Sequence, residues 1–294
     1  MIAVGRIILD VFRQARASGL QAAVLVVTAL AAAICVAARI EPSSGGFVVT
    51  LPGGIALFAG QSLPDVVAGA QFWLAAIAAD TLGVLAALIW TAGFLPGFLD
   101  PRSVSVLLAK PPGRAMQFVS RWLGVVVFVA VHGAIFVGAT WVILGLRSGT
   151  WSGSYWLCLP LLIVHFSAFY AFSALLAVVT RSAAACIVGS IVFWALCWAM
   201  NFGRHTLAGV DVPGASGGIH RLADLGYWLL PKPLDFSLLL TQALGAERFA
   251  PTWTPLAAIR DAGQLSTGSV LGSSLAAGAV LLAIAVYEFR HDDY

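Results

Sequence analysis

The charged positions of this chain are clustered, and the gaps between clusters set the reading. Residues 17–38, 122–146, 148–180, 182–203 and 262–287 contain no Asp, Glu, Lys or Arg. Each gap exceeds the roughly 18 apolar residues that mark a membrane-spanning helix. A further apolar stretch, 67–94, is interrupted only by Asp80. The pattern predicts six spans, at about 20–38, 67–94, 116–146, 155–179, 183–202 and 266–287. Before the first span, residues 2–17 place Arg6, Asp10 and Arg13 at helical spacing opposite Ile2, Leu9 and Phe12. That pattern predicts an amphipathic helix lying at the membrane surface.

The connecting segments add detail. Between the first two spans, residues 47–51 and 55–58 flank Pro52-Gly53-Gly54, which suits a small β-hairpin. Between the second and third, Asp100 is a good N-cap and Pro101 a good first helical residue, while Lys110-Pro111-Pro112 forbids continuation. A helix over about 100–110 is boxed in there, too short to cross a bilayer. Between the fifth and sixth spans, the apolar run LGYWLLPKPLDFSLLLTQAL within 203–265 predicts one or two helices packed on the outer rim.

Composition agrees with this picture. Of 294 residues, 60% are hydrophobic and 10% charged, against roughly 25% charged in soluble domains. So few charges cannot cover the surface of a soluble domain of this length. The expected fold is all-α, a single polytopic permease-like domain with no separate soluble part. A charged segment precedes the first span, so no cleavable signal peptide is expected. Nine basic residues (Arg6, Arg13, Arg16, Arg102, Lys110, Arg114, Arg121, Arg181 and Arg290) fall on the side of the N-terminus, against Arg39 and Arg147 in short loops opposite. This places both termini in the cytoplasm, with the chain multi-pass in a plasma or inner membrane. Trp122, Trp141, Trp151, Trp156 and Trp198 fall near span ends, as an aromatic belt does. The formal charge of +3 argues for no nucleic-acid partner.

Candidate chemistry is sparse. Cys35, Cys158, Cys186 and Cys197 show no metal-ligand or disulfide spacing and read as small core residues. Asp80 is the one formal acid inside a span, and His132 and His165 lie near the middles of the third and fourth. A buried carboxylate is costly unless paired, so Asp80 is expected to bond to a histidine, to Thr81 or to a neighbouring backbone. Structural pairing is the favoured reading, with a proton or substrate role as the other. In the sixth span Gly268, Gly272 and Ala276 form a small-residue stripe, which intrachain packing and dimerisation explain equally well. No GxxxxGK[ST] occurs, so the chain has no nucleotide site of its own.

The boxed helix resembles the coupling segment of permease subunits of the ABC-2-type transporter family. The matching residues are Leu107, Leu108, Lys110, Pro111, Arg114, Phe118, Arg121 and Gly124. The six-span layout, the amphipathic start, the long loop before the last span and the tail FRHDDY extend the resemblance over nearly the whole chain. Upstream, Asp100-Pro101-Arg102-Ser103 departs from the acidic residue and Gly-Thr pair common in the family. The resemblance implies a transport subunit rather than an enzyme. In that reading two permeases, identical or related, pair in the bilayer, each docking on an ATP-binding subunit that holds the ATP and Mg. Asp100 to Lys110 and Arg114 would carry the coupling, with Leu107 and Leu108 as the apolar docking face and Arg102 and Lys110 as its polar flank. The implied direction is export, with spans one, two and five of both copies as the substrate walls. An apolar lining suits lipids, drugs or peptides alike. Two other classes remain at this stage. Gly214-Ala215-Ser216-Gly217 looks like the GxSG of rhomboid-type intramembrane serine proteases, although the charged sequence after Ser216 and the lack of a histidine within the sixth span disfavour it. A membrane assembly factor without transport is the third.

Overall fold

The computed structural model describes residues 2–60, 62–78, 80–100, 113–209, 217–249 and 266–291. Among them the chain is mostly helical, and six helical segments are long and apolar enough to cross a membrane. In order they are α1 (Ile2–Ala17), α2 (Leu20–Ala37), strands β1 (Arg39–Ser43), β2 (Gly46–Leu51) and β3 (Ile55–Gly60), then α3 (Leu63–Ala78), α4 (Thr81–Thr91), α5 (Phe94–Phe98), α6 (Arg114–Ser148), a 3-10 turn (Gly153–Leu157), α7 (Cys158–Thr180), α8 (Ala183–Gly209), α9 (Gly217–Leu229), α10 (Pro233–Leu244) and α11 (Thr267–His291).

The most enclosed helix is α7. Phe166, Phe169, Tyr170, Ala174 and Ala177 are fully buried on it, and α6, α8 and α11 surround it. Between helices in lipid the hydrophobic effect gives no net drive, so close packing and polar bonds hold them together. Gly278 shows this at the contact of α11 with α7, where an added Cβ would lie 2.9 Å from the Ala168 Cα. By contrast an added Cβ at Gly268 or Gly272 would meet nothing. The predicted stripe therefore plays no part in seating α11, and Gly278, two residues past the stripe, does so instead.

Three features differ from the sequence-based expectation. The hairpin has a third strand: β1-β2-β3 form an antiparallel sheet, and β1 escapes notice because RIEPS is polar and contains Pro42, which an edge strand tolerates. The turn between β2 and β3 is as expected, with Gly54 N–H donating to the Leu51 carbonyl at 3.1 Å and Gly53 at φ 95°, the value that demands glycine after Pro52. The apolar stretch 67–94 is not one helix. It breaks at Asp80 into α3 and α4. From Leu63 to Phe98 a single straight helix would be about 54 Å long, far beyond the roughly 30 Å of a hydrocarbon core. Finally, α10 is not on the rim. Pro233, Leu234, Asp235, Phe236, Leu239, Leu240 and Leu244 are all buried on it, while α9 stays peripheral, with Leu222, Leu225, Trp228 and Leu229 exposed.

The N-terminal helix is docked rather than floating. Val11 and Ala15 are fully buried against α6, while Leu9 is exposed. The contact depends on Gly124, where a Cβ would meet Val11 Cγ2 at 2.8 Å and the Ile8 Cα at 3.3 Å. Gly124→Ala is expected to loosen α1 by about 1–3 kcal/mol, the usual cost of overpacking. Limited proteolysis of α1 checks this: faster cleavage than in the wild type is expected, and equal rates would refute the contact.

Candidate functional site

Two regions hold the buried Asp, Lys and Arg side chains among the described residues, Arg121 in one and Asp80, Lys232 and Asp235 in the other. The first lies at the end of the bundle where the boxed segment enters and leaves. Arg102, Leu107, Leu108 and Lys110 fall outside the described residues, as does Ser216. Asp100 follows α5, and Arg114 is the first residue of α6 after the N-cap Gly113. Around these two ends the chain is tied tightly. Phe289 near the end of α11 packs on Phe118, with ring centroids 5.1 Å apart, and on Phe98 of α5 at 6.3 Å. Arg121 is 5% exposed, and its Nη1 pairs with the Asp10 carboxylate of α1 at 2.8 Å. Its Nη2 donates to the Gln14 Oε1, and its guanidinium lies over the Phe98 ring at 5.8 Å. The family-like positions Phe118, Arg121 and Gly124 are thus the sockets for α11 and α1. Phe98 before residues 101–112 and Phe118 and Arg121 after them thus share one cluster, which also joins α1 and α11.

The second region lies toward the opposite end, where α10 inserts. Asp80 sits in the α3/α4 break at 8% exposure. Its Oδ2 accepts from the Ser237 hydroxyl of α10 and from the Thr81 hydroxyl at 3.4 Å. His165 Nδ1 on α7 stands 3.7 Å from Asp80 Oδ1, and the His165 ring stacks on Phe236 at 4.7 Å. His132 does not join them. Its Nδ1 is 2.9 Å from its own helix's Phe128 carbonyl, and its ring packs against Phe128 and Phe12.

Three residues beyond Lys232, Asp235 is fully buried and has three donors. Asn201 Nδ2 at 3.1 Å and His205 Nε2 at 2.5 Å reach Oδ1, both from α8. The Tyr227 hydroxyl of α9 donates to Oδ2 at 2.8 Å. In return Asn201 Oδ1 accepts from the backbone N–H groups of Leu234 and Asp235 at 3.1 and 3.2 Å. These are two of the orphan donors at the start of α10. Asp235 lies in that first turn, where the helix dipole favours a negative charge. Lys232 is also fully buried, with its ammonium on the Ser273 hydroxyl of α11 and 4.4 Å over the Tyr227 ring. Burial holds the Lys232 amine down to about 8, with the Asp235 charge pulling it back up.

The polar network therefore pins α10 at its tip to α8, α9 and α11 and, one turn further, to the α3/α4 break. Sequence reading placed Asp80 beside a histidine but chose no histidine over the other, and it passed over Asp235. A usable signal existed: Asn201 and His205 are one turn apart on the end of a span, and Asp235 is the lone acid of the apolar run that follows.

The Asp80 geometry suits structural pairing. Asp80→Asn keeps an oxygen acceptor for Ser237, so a stability change of about 1 kcal/mol is expected. Thermal denaturation checks this, and a loss of several kcal/mol would contradict it.

All four cysteines are buried and unpaired, and no group of three or more His, Cys, Asp or Glu placed to hold a metal occurs among the described residues. No protein-family model matches the chain, and no curated protein matches it.

Proposed function

We propose that the chain is the membrane-spanning permease subunit of an ATP-driven transporter with the ABC-2 arrangement, paired with a second permease copy or a related permease. ATP and Mg are held by a separate ATP-binding subunit docked on the 100–110 helix, and the direction is export. The observation that carries the reading is the common seat of the boxed segment. Its entry at Phe98 and its exit at Arg114–Arg121 rest on α1 and on the end of α11. A soluble partner pushing on that segment acts on α5, α6, α1 and α11 together rather than on one flexible loop. Helices packed this way move as levers, which is what coupling needs.

In the same reading the insertion of α10 supplies the outer closure. Its polar bonds to α8, to α11 and to the Asp80 break hold the opposite end of the bundle shut until the levers move. Nothing in the described geometry favours the protease. The last span carries its one histidine, His291, at the final turn and at the opposite end from α9. The reading requires a stoichiometric P-loop subunit to accompany the chain when it is isolated from its own membranes.

A further inference from the structure

We propose that the groove between α2, α3/α4 and α6 is a resident site for a single anionic membrane lipid, whose acyl chain lies along α2 and whose headgroup is held by Arg147. The groove shares spans one and two with the substrate walls of the transport reading, but its lining is complete in one copy of the chain, and its test needs no ATP-binding partner.

The groove has a volume of about 560 Å³, within the roughly 300–1,000 Å³ of ligand sites. Its lining runs along α2 from Leu20 to Ala38, a rise of about 27 Å. One leaflet is about half of the roughly 30 Å hydrocarbon core, so the end of the groove at Arg147 takes a single acyl chain to its full depth. Phe128 and Phe136 of α6 form part of the floor, and Trp73 and Trp90 of α3 and α4 part of the opposite wall. The groove is open toward the bilayer, since Leu30, Ile34, Trp73, Leu82 and Trp90 among its lining are all exposed.

Its polar groups are turned away from any occupant. Thr28 Oγ1 donates to the Val24 carbonyl at 3.1 Å and Thr91 Oγ1 to the Ala87 carbonyl at 2.6 Å, while His132 Nδ1 is spent on the Phe128 carbonyl. The walls present hydrocarbon and select a chain rather than a polar solute. One end differs. Arg147 is the sole Asp, Glu, Lys or Arg among the lining residues. Its guanidinium is fixed there by the Val36 and Ala38 carbonyls at 2.6 and 2.9 Å. Both partners are neutral, and no carboxylate lies within ion-pair distance of Arg147 among the described residues, so a full positive charge stands at the groove's mouth. The adjoining strand carries one charge of each sign, Arg39 and Glu41. An apolar slot deeper than one leaflet, with one guanidinium at its end, fits an acyl lipid with an anionic headgroup.

The test is native mass spectrometry of the delipidated full chain in mild detergent, offered equal phosphatidylglycerol and phosphatidylcholine of the same acyl composition. The expected result is one retained lipid per chain, with about five-fold preference for phosphatidylglycerol, the effect of one interfacial cation. Arg147→Gln should keep one lipid but lose the preference. Ala31→Trp and, separately, Ala87→Trp should fill the groove and expel both lipids, each variant being checked for a wild-type unfolding transition. Equal retention of the two lipids by the wild type would overturn the proposal. So would lipid stoichiometry unchanged in a folded groove-filling variant, or a chain dimer that the groove-filling variants dissociate, since that would make the occupant a second copy.

Discussion

If the chain is the proposed permease, replacing Leu107 and Leu108 together with Asp is expected to abolish ATP-driven transport while leaving insertion and packing of the bundle intact. In that proposal Leu107 and Leu108, just before Lys110-Pro111, supply the apolar docking face of the 100–110 segment. Two carboxylates forced against an apolar socket on the ATP-binding subunit must be desolvated without partners, which costs several kcal/mol. A loss of 2 kcal/mol or more at a docking hot spot corresponds to at least about 30-fold weaker association. Insertion is spared because the span-forming residues and the cluster of Arg121, Asp10, Phe98 and Phe289 are untouched. Transport measured in vesicles containing both subunits, with the amount of ATP-binding subunit retained on the membrane, checks the expectation. Undiminished transport would show that coupling does not pass through this helix.

Asp235→Ala is expected to be the most destabilising single substitution in the chain. The carboxylate is fully buried and satisfies Asn201, His205 and Tyr227 at once, with Lys232 three residues before it. Its removal leaves three donors from two helices, α8 and α9, unpaired and deprives Lys232 of its nearby negative charge, which belongs to the class of change costing about 3–5 kcal/mol. For a chain of this size 3 kcal/mol corresponds to a fall in apparent Tm of roughly 6–12 °C. The contrast is Asp224→Ala. Asp224 pairs with Arg204 at 3.3 Å but is 59% exposed, and an exposed pair of this kind contributes at most about 1 kcal/mol. A thermal scan of the two variants in the same detergent separates them. Similar Tm values would mean that the α10 knot does not hold the outer end of the bundle.

The two regions also mark where sequence reading succeeds and where it stops. Lys and Arg are costly in hydrocarbon, so their absence over long runs reports α2, α6, α7, α8 and α11 directly. That logic fails where a charge is buried and satisfied. Sequence puts the apolar run that holds Lys232 and Asp235 on the outer rim, yet Asn201 and His205 accept α10 into the bundle. It fails also at Asp80, where one carboxylate bonded by Ser237 and Thr81 marks the break between α3 and α4. Thr81, next to Asp80 in the chain, is legible as its partner, but the distant partners are not, because Ser237 is 157 residues from Asp80 and Asp235 is 34 residues from Asn201. Arg121 and Gly124 were legible as positions of a pattern but not as contacts. Only the fold shows that their partner is the N-terminal helix, through Asp10, Gln14, Val11 and Ile8.

The central claim, that this chain is the membrane half of an ATP-driven transporter, is tested most directly by copurification. The tagged chain is isolated from its own host's membranes in mild detergent, the accompanying proteins are identified and quantified by mass spectrometry, and ATP hydrolysis is assayed in the same fractions. The account predicts one P-loop subunit per permease chain, with hydrolysis that follows it and is lost from the Leu107/Leu108 variant. A chain that is recovered alone and without hydrolysis across several detergents would contradict it.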